Sequence, residues 1–156
     1  MADLKVIITE QLTLNGKEQG GSFQKTITGI KDVYKRIVTV PADVDTTLVS
    51  FKSTVGIADG AMDIQNVKYI RVTNLDSSNA VNLSLQIDTS ENDTTAADSA
   101  TVLLEAGKSF ILGTPHDSVA VDDDDSAIVT TLNDLESILV DSSTHAVRME
   151  ILVASS

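Results

Sequence analysis

VKYIRVTNL (67–75), DSSNA (76–80) and VNLSLQI (81–87) together decide how this chain folds. In the last segment Val81, Leu83, Leu85 and Ile87 alternate with Asn82, Ser84 and Gln86, the period of two that marks a strand with one buried face. In the first, Ile70 and Val72 supply the buried side, while Lys68, Tyr69, Arg71 and Thr73 suit strand ends or solvent. Between them, the short side chains of Asp76, Ser77, Ser78 and Asn79 bond readily to nearby backbone and favour a turn. The stretch predicts two strands of an antiparallel hairpin at the centre of a β-sandwich.

The same alphabet extends in both directions. Leu4, Val6, Ile8, Leu12 and Leu14 share a parity that Glu10 interrupts, as in a long strand with a bulge or an exposed midpoint. Asn15-Gly16 is a strong turn signal, Gly20-Gly21 adds flexibility, and residues 23–30 return as a strand. The NGKEQGGS loop (15–22) has no apolar anchor and is expected to project. Strands follow at 34–40, closed by Pro41, and at 47–55, with Val49, Phe51 and Val55 on one parity. Beyond residue 87 come a polar loop (88–100), short strands at 101–104, 110–112 and 118–121, and the acidic run Asp122–Asp125, which self-repels and belongs in solvent. Residues 127–140 are ambiguous: Leu132, Leu135, Ile138 and Leu139 have helical spacing, but a strand at 137–140 is the preferred reading. Residues 145–154 form the last strand, with Val147, Met149, Ile151 and Val153 inward. Nine or ten short strands without a long amphipathic helix predict an all-β antiparallel sandwich or jelly roll. One domain spans 1–156, and residues 1–30 act as an extended N-terminal hairpin or arm.

Composition narrows function mostly by exclusion. The chain has 156 residues and no cysteine, which removes disulfides, thiolate catalysis and Cys-ligated metals. Residues 1–78 carry nine Lys/Arg and nine Asp/Glu, whereas residues 79–156 carry two against fourteen, so the second half holds the whole net charge of −12. Such a surface repels phosphate backbones and anionic lipid, and neither nucleic acid nor membrane is expected as a partner. The first residues lack the pattern of a signal peptide, and no apolar run reaches the ~20 residues of a spanning helix.

A search for chemistry finds no reactive set. Pro115-His116-Asp117-Ser118 places an imidazole, an acid and a hydroxyl side by side, but a triad is assembled from separate elements, and no G-x-S-x-G elbow is present. Only His116 and His145 could serve as imidazole bases. Paired acids for glycoside hydrolysis are undiagnostic among twenty-three Asp and Glu, and sugar platforms want more rings than five aromatics without tryptophan. Oxygen ligands for calcium exist at Asp43, Asp45, Asp122 and Asp124, without the spacing of a calcium loop. The expectation is no enzyme, no catalytic residue, no cofactor and no metal, with those four aspartates as the candidates should calcium bind.

YIRVTNLDSSNAVNLSLQI (69–87), TVLLEAGKSFIL (101–112) and HAVRMEILVAS (145–155) resemble segments of small β-sandwich virion proteins of tailed bacteriophages, most of all head-decoration (cement) proteins. The resemblance covers roughly residues 67–154. It implies a non-enzymatic particle component assembled in the host cytoplasm, which binds the major capsid protein or other virion proteins and stabilises the head. It also implies a homo-oligomer, often a trimer. A neck or tail protein is the alternative reading, and a carbohydrate-binding sandwich a further one. Residues 4–30, in the charge-neutral half, are the expected contact region, adding strands to a partner by edge pairing, while the acidic half faces solvent.

Overall fold

A computed structural model describes residues 1–56, 60–88, 98–121 and 128–156. Eight strands build its body: β5 (Asp32–Val40), β6 (Thr46–Lys52), β8 (Val67–Asn74), β9 (Val81–Asp88), β10 (Asp98–Leu104), β11 (Ser109–Leu112), β12 (Asp134–Asp141) and β13 (Val147–Ser155). They form two facing sheets in the orders β10-β9-β12-β6 and β11-β8-β13-β5, with the two-residue β7 (Met62–Asp63) added in parallel beyond β6. Apart from β7, every strand pairing is antiparallel. Numbering the eight body strands in chain order, the sheets read 5-4-7-2 and 6-3-8-1, the connectivity of a jelly roll. The described residues contain no helix.

The two strands that decide the fold are present, but they do not form a hairpin. β8 pairs with β11 and β13, and β9 with β10 and β12, so residues 75–80 carry the chain from one sheet to the other. Buried Asn74 directs this crossing. Its amide nitrogen donates to the carbonyls of Asn79 (2.9 Å) and Leu104 (3.1 Å), and its side-chain oxygen accepts from the Asp76 amide (2.9 Å). Asp76 in turn accepts from the amides of Ser78 and Asn79, both at 2.8 Å. The chain is thereby bent out of the plane of the sheet, and Ile70 and Val72 face Val81, Leu83 and Leu85 within one core. Those backbone bonds stabilise the Asp76 carboxylate and hold its pKa below the usual aspartate value.

Of the ambiguous segment 127–140, β12 makes residues 134–140 a strand that includes the preferred 137–140, whereas residues 128–132 are irregular and 127 lies outside the described residues. The register of β12 shifts between Leu135 and Ser137, so the extra residue puts Leu135 and Ile138, three apart, on the same buried face. A β-bulge thus reproduces the spacing of a helix turn. The expected strand at 118–121 shrinks to a single bridge between Val119 and Asn133. Val55, expected on the buried parity of its strand, lies beyond β6 and is exposed. The acidic run at 122–125 lies outside the described residues.

Outside the sandwich stands a separate ribbon, β1 (Ala2–Thr9) paired antiparallel with β4 (Ser22–Ile30), capped by the short pair β2 (Thr13–Leu14) and β3 (Lys17–Glu18). This ribbon, the arm below, spans the residues 1–30 expected to form an N-terminal hairpin or arm. Only Lys31 separates β4 from β5, and its amide is bonded to the Ser155 carbonyl at 2.9 Å. Leu4, Val6, Ile27 and Ile30 pack on Tyr69, Leu152 and Ala154, a second apolar cluster on the outer face of the β11-β8-β13-β5 sheet. Tyr69, assigned to solvent from its parity, is therefore buried at 8% exposure beneath the arm.

Candidate interaction surface

The arm is the feature of the fold that the core does not require. Register places Leu4 opposite Ile27, Val6 opposite Lys25 and Ile8 opposite Phe23, so these six side chains share one face of the ribbon. The root of that face is seated on the sandwich. Two residues further out, Ile8 is 43% and Phe23 62% exposed, and Leu12 and Leu14 near the tip are also in solvent. An isolated two-stranded ribbon is marginal in water, and this one carries apolar side chains on into solvent beyond its seat. Exposed apolar surface of this kind is a candidate interaction site.

Local chemistry fixes the shape of the arm. In β4 two residues, Thr28 and Gly29, oppose the single Asp3 of β1, and Gly29 has a φ of 78° that suits the bulge. At the tip Asn15 and Gly16 both have positive φ, 52° and 75°, as a tight hairpin turn requires. The Glu18 carboxylate accepts from the amides of Gly20 (2.8 Å) and Leu12 (3.0 Å) and from the Thr13 hydroxyl (3.3 Å). The bonds from Gly20 and Leu12 hold its pKa below the ordinary glutamate value. A Cβ on Gly20 would overlap the Glu10 backbone carbonyl. Gly20 was expected to loosen the loop; it serves close approach of two backbone segments instead.

The outer face around the arm's seat is mixed in character. Lys35 (β5), Arg71 (β8) and Glu150 (β13) form an ion-pair network there, with Lys35 3.3 Å from Glu150 and Arg71 bonded to it directly. Burial pushes the Glu150 carboxyl up, but the hydrogen bonds and charges of Arg71 and Lys35 outweigh it and hold the pKa below the ordinary value. By register, Val33 and Ile37 of β5 and Ile111 of β11 lie on the same outer face, and all three are exposed.

The residues singled out for chemistry are dispersed or used locally. His116 Nδ1 lies 2.8 Å from Asp134 and its Nε2 3.3 Å from Asp117, so each ring nitrogen faces a different carboxylate. Asp134 also accepts from the Asp117 amide at 2.8 Å, and the Ser118 hydroxyl donates to the Pro115 carbonyl at 3.0 Å rather than towards the imidazole. These contacts lock a loop and assemble no nucleophile–base pair. Sequence reasoning missed Asp134, which lies 18 positions from His116 with no motif between them.

Of the calcium candidates, Asp43 sits in a turn at φ 56° with its amide bonded to the Ser143 carbonyl (2.6 Å). Asp45 borders a shallow groove of about 240 Å³ on the outer face of the other sheet, beside Asn82, Ser84, Gln86 and Asp141. Neither belongs to a cluster of three or more metal-ligand side chains among the described residues; the one such cluster is His116, Asp117 and Asp134. Asp122 and Asp124 lie outside the described residues. The groove has no aromatic ring in its lining, so it lacks the platform on which a sugar would stack.

No family model matches the sequence, and no curated protein matches it. Among solved structures, one chain aligns over 83% of this chain and 93% of its own length, at 10% identity and a TM-score of 0.36. It comes from Bacillus endospore appendages, described as a novel family of disulfide-linked pili.

Proposed function

We propose that this protein is a non-enzymatic structural subunit that joins a many-copy assembly through its arm. The observation that carries the reading is the apolar face of the ribbon, seated at Leu4, Val6 and Ile27 and continuing into solvent at Ile8 and Phe23. The seated part stabilises the isolated molecule; the exposed part at Ile8 and Phe23 does not, and it is surface of the kind an assembly buries. The sequence resemblance at 67–154 points to the assembly, the virion of a tailed phage, and within it to decoration of the head through contacts with the major capsid protein. Jelly rolls serve viral capsids, lectins and cupins alike, so the fold agrees with this reading without selecting it. With no cysteine, the chain cannot be joined to its neighbours by disulfides.

Binding to empty heads of the phage whose genome carries the gene, followed by co-sedimentation and negative-stain imaging, tests the proposal. Removing residues 1–30 would also remove buried Ile30 and uncover Tyr69, so the sharper variant is Ile8→Ser with Phe23→Ser, both exposed. The unaltered protein is expected to coat the heads and the double variant to stay in the supernatant. Heads left bare by the unaltered protein would overturn the head reading, and equal coating by the variant would overturn the role of the arm.

A further inference from the structure

His116 stands between two carboxylates, and a neutral imidazole satisfies only one of them. Asp134 Oδ1 lies 2.8 Å from Nδ1 and also accepts from the Asp117 amide at 2.8 Å. A carboxylate oxygen that close to a ring nitrogen needs a donor, so the ring proton belongs on Nδ1. Nε2 is then left with its lone pair, and 3.3 Å from it lies a second acceptor, Asp117 Oδ2. Two acceptors at that distance repel unless a positive charge lies between them. The juxtaposition is held by backbone on both sides of the imidazole. The Leu135 amide donates to the Pro115 carbonyl (2.9 Å) and the Ser118 amide to the Asn133 carbonyl (3.0 Å), and Pro115 and Leu135 are both buried. Nor does the local sequence supply a strong cation: between Lys108 and Arg148 there is no lysine or arginine, against eight Asp and Glu. Register also sets Asp134 opposite Asp88 of β9. The missing charge must come from solution, as a proton or as a metal ion. Distance separates the two. A charged N–H···O bond is about 2.7–2.9 Å long, whereas two donors at about 2.05 Å from a tetrahedral zinc stand about 3.3 Å apart.

We propose that a divalent first-row transition cation, zinc above all, binds between Nε2 of His116 and the carboxylate of Asp117, with Asp134 holding the ring from its other side. Asp134 takes the part of the carboxylate that receives the second N–H of a metal-bound histidine, which fixes the tautomer and makes the ligating nitrogen more basic. One ligand atom from each of the three residues lies within 4.8 Å of the others, so the three side chains form a single group. An imidazole donor favours zinc and its neighbours, whereas calcium takes oxygen alone; the site is therefore distinct in chemistry and position from the aspartates suggested by the sequence. The imidazole is partly exposed and two protein ligands leave positions for water, so the ion exchanges with solvent. Once bound it fastens the Pro115–Val119 loop to the start of β12 and offsets charge in the most acidic part of the chain.

Zinc chloride titrated into the metal-free full chain, followed by calorimetry and by histidine 15N NMR, tests the proposal. Before zinc is added, neutral His116 is expected as the Nδ1–H tautomer. One ion per chain is then expected to bind and to shift Nε2 of His116, while His145, whose Nδ1 lies 2.8 Å from the Thr144 hydroxyl, stays unmoved. Acidification is expected to weaken binding, because ion and proton compete for the same nitrogen. His116→Ala and Asp117→Asn are each expected to weaken it at least tenfold, Asp134→Asn by about 10–100-fold, and His145→Ala not at all. Melting of each variant in the presence of chelator checks that its fold survives, and the nitrogen shifts of the unaltered chain decide the matter where it does not. A chain that binds neither zinc nor cobalt overturns the proposal. So does zinc binding that persists in His116→Ala, which would place the ion elsewhere, or calcium binding as tight as zinc. An Nε2–H tautomer in the metal-free chain would overturn the orienting role of Asp134. None of these outcomes bears on the arm, so this inference and the attachment reading stand or fall separately.

Discussion

Replacing Asn74 by alanine should be among the most damaging single changes in the body. The side chain is wholly buried and makes three hydrogen bonds, to the Asn79 and Leu104 carbonyls and from the Asp76 amide. Each is worth about 1 kcal/mol net, and more where the abandoned partner stays buried, so the expected loss is about 3 kcal/mol. For a chain of this size that corresponds to a fall in melting temperature of about 6–12 °C. Urea unfolding is the direct assay, since a pure stability change moves the midpoint at constant slope. Ser77→Ala, in the same turn but exposed, is the control and should cost less than about 0.5 kcal/mol. A loss below about 1 kcal/mol for Asn74→Ala at unchanged slope would refute the assignment of the inter-sheet crossing to this side chain.

Two further outcomes concern the arm. Glu18 has a lowered pKa in the folded tip, so its contribution to local order is fully present above the ordinary glutamate range and is lost as pH falls through the lowered value. Carboxyl NMR should show Glu18 titrating below that range, with the Leu12 and Gly20 amide shifts following it; titration in the ordinary range would count against the network. Gly20→Ala must displace the Glu10 carbonyl, at a cost of about 1–3 kcal/mol confined to the tip. Hydrogen exchange over residues 9–22 should accelerate while the global unfolding midpoint stays in place, and a drop in that midpoint would show that the tip is coupled to the core.

The strands that were readable from sequence are those whose alternation is uninterrupted. β9 and the final strand bury the residues their parity indicates, and the Asn15-Gly16 turn stands where its dipeptide places it. Pairing was not readable in the same way, because a strand alternates identically whether its partner is the next in sequence or a distant one. The polar stretch after Asn74 suits a hairpin turn and an inter-sheet crossing equally; the difference lies in the bond from Asn74 to the Leu104 carbonyl, thirty positions away. The bulge in β12 disguised a strand as helical spacing. The arm was legible as a projection from the unanchored loop between two apolar runs. Its seat was not, since Tyr69 has the parity of an exposed residue and is covered only because a ribbon from elsewhere in the chain lies over it.

The position of β13 between β8 and β5 has a kinetic consequence. Until Val147–Ser155 is in place, the sheet that seats the arm lacks its middle: among the described residues β5 then has no partner strand and β8 is joined only to the four-residue β11. The nucleus for this layer therefore depends on closing a loop of more than a hundred residues between β5 and β13, the kind of non-local pairing that slows β-rich folding. Emerging from a ribosome, the chain presents open strand edges and an unseated apolar ribbon until its last strand arrives, and its yield should respond to translation speed and chaperone supply more than to substitutions in the finished core.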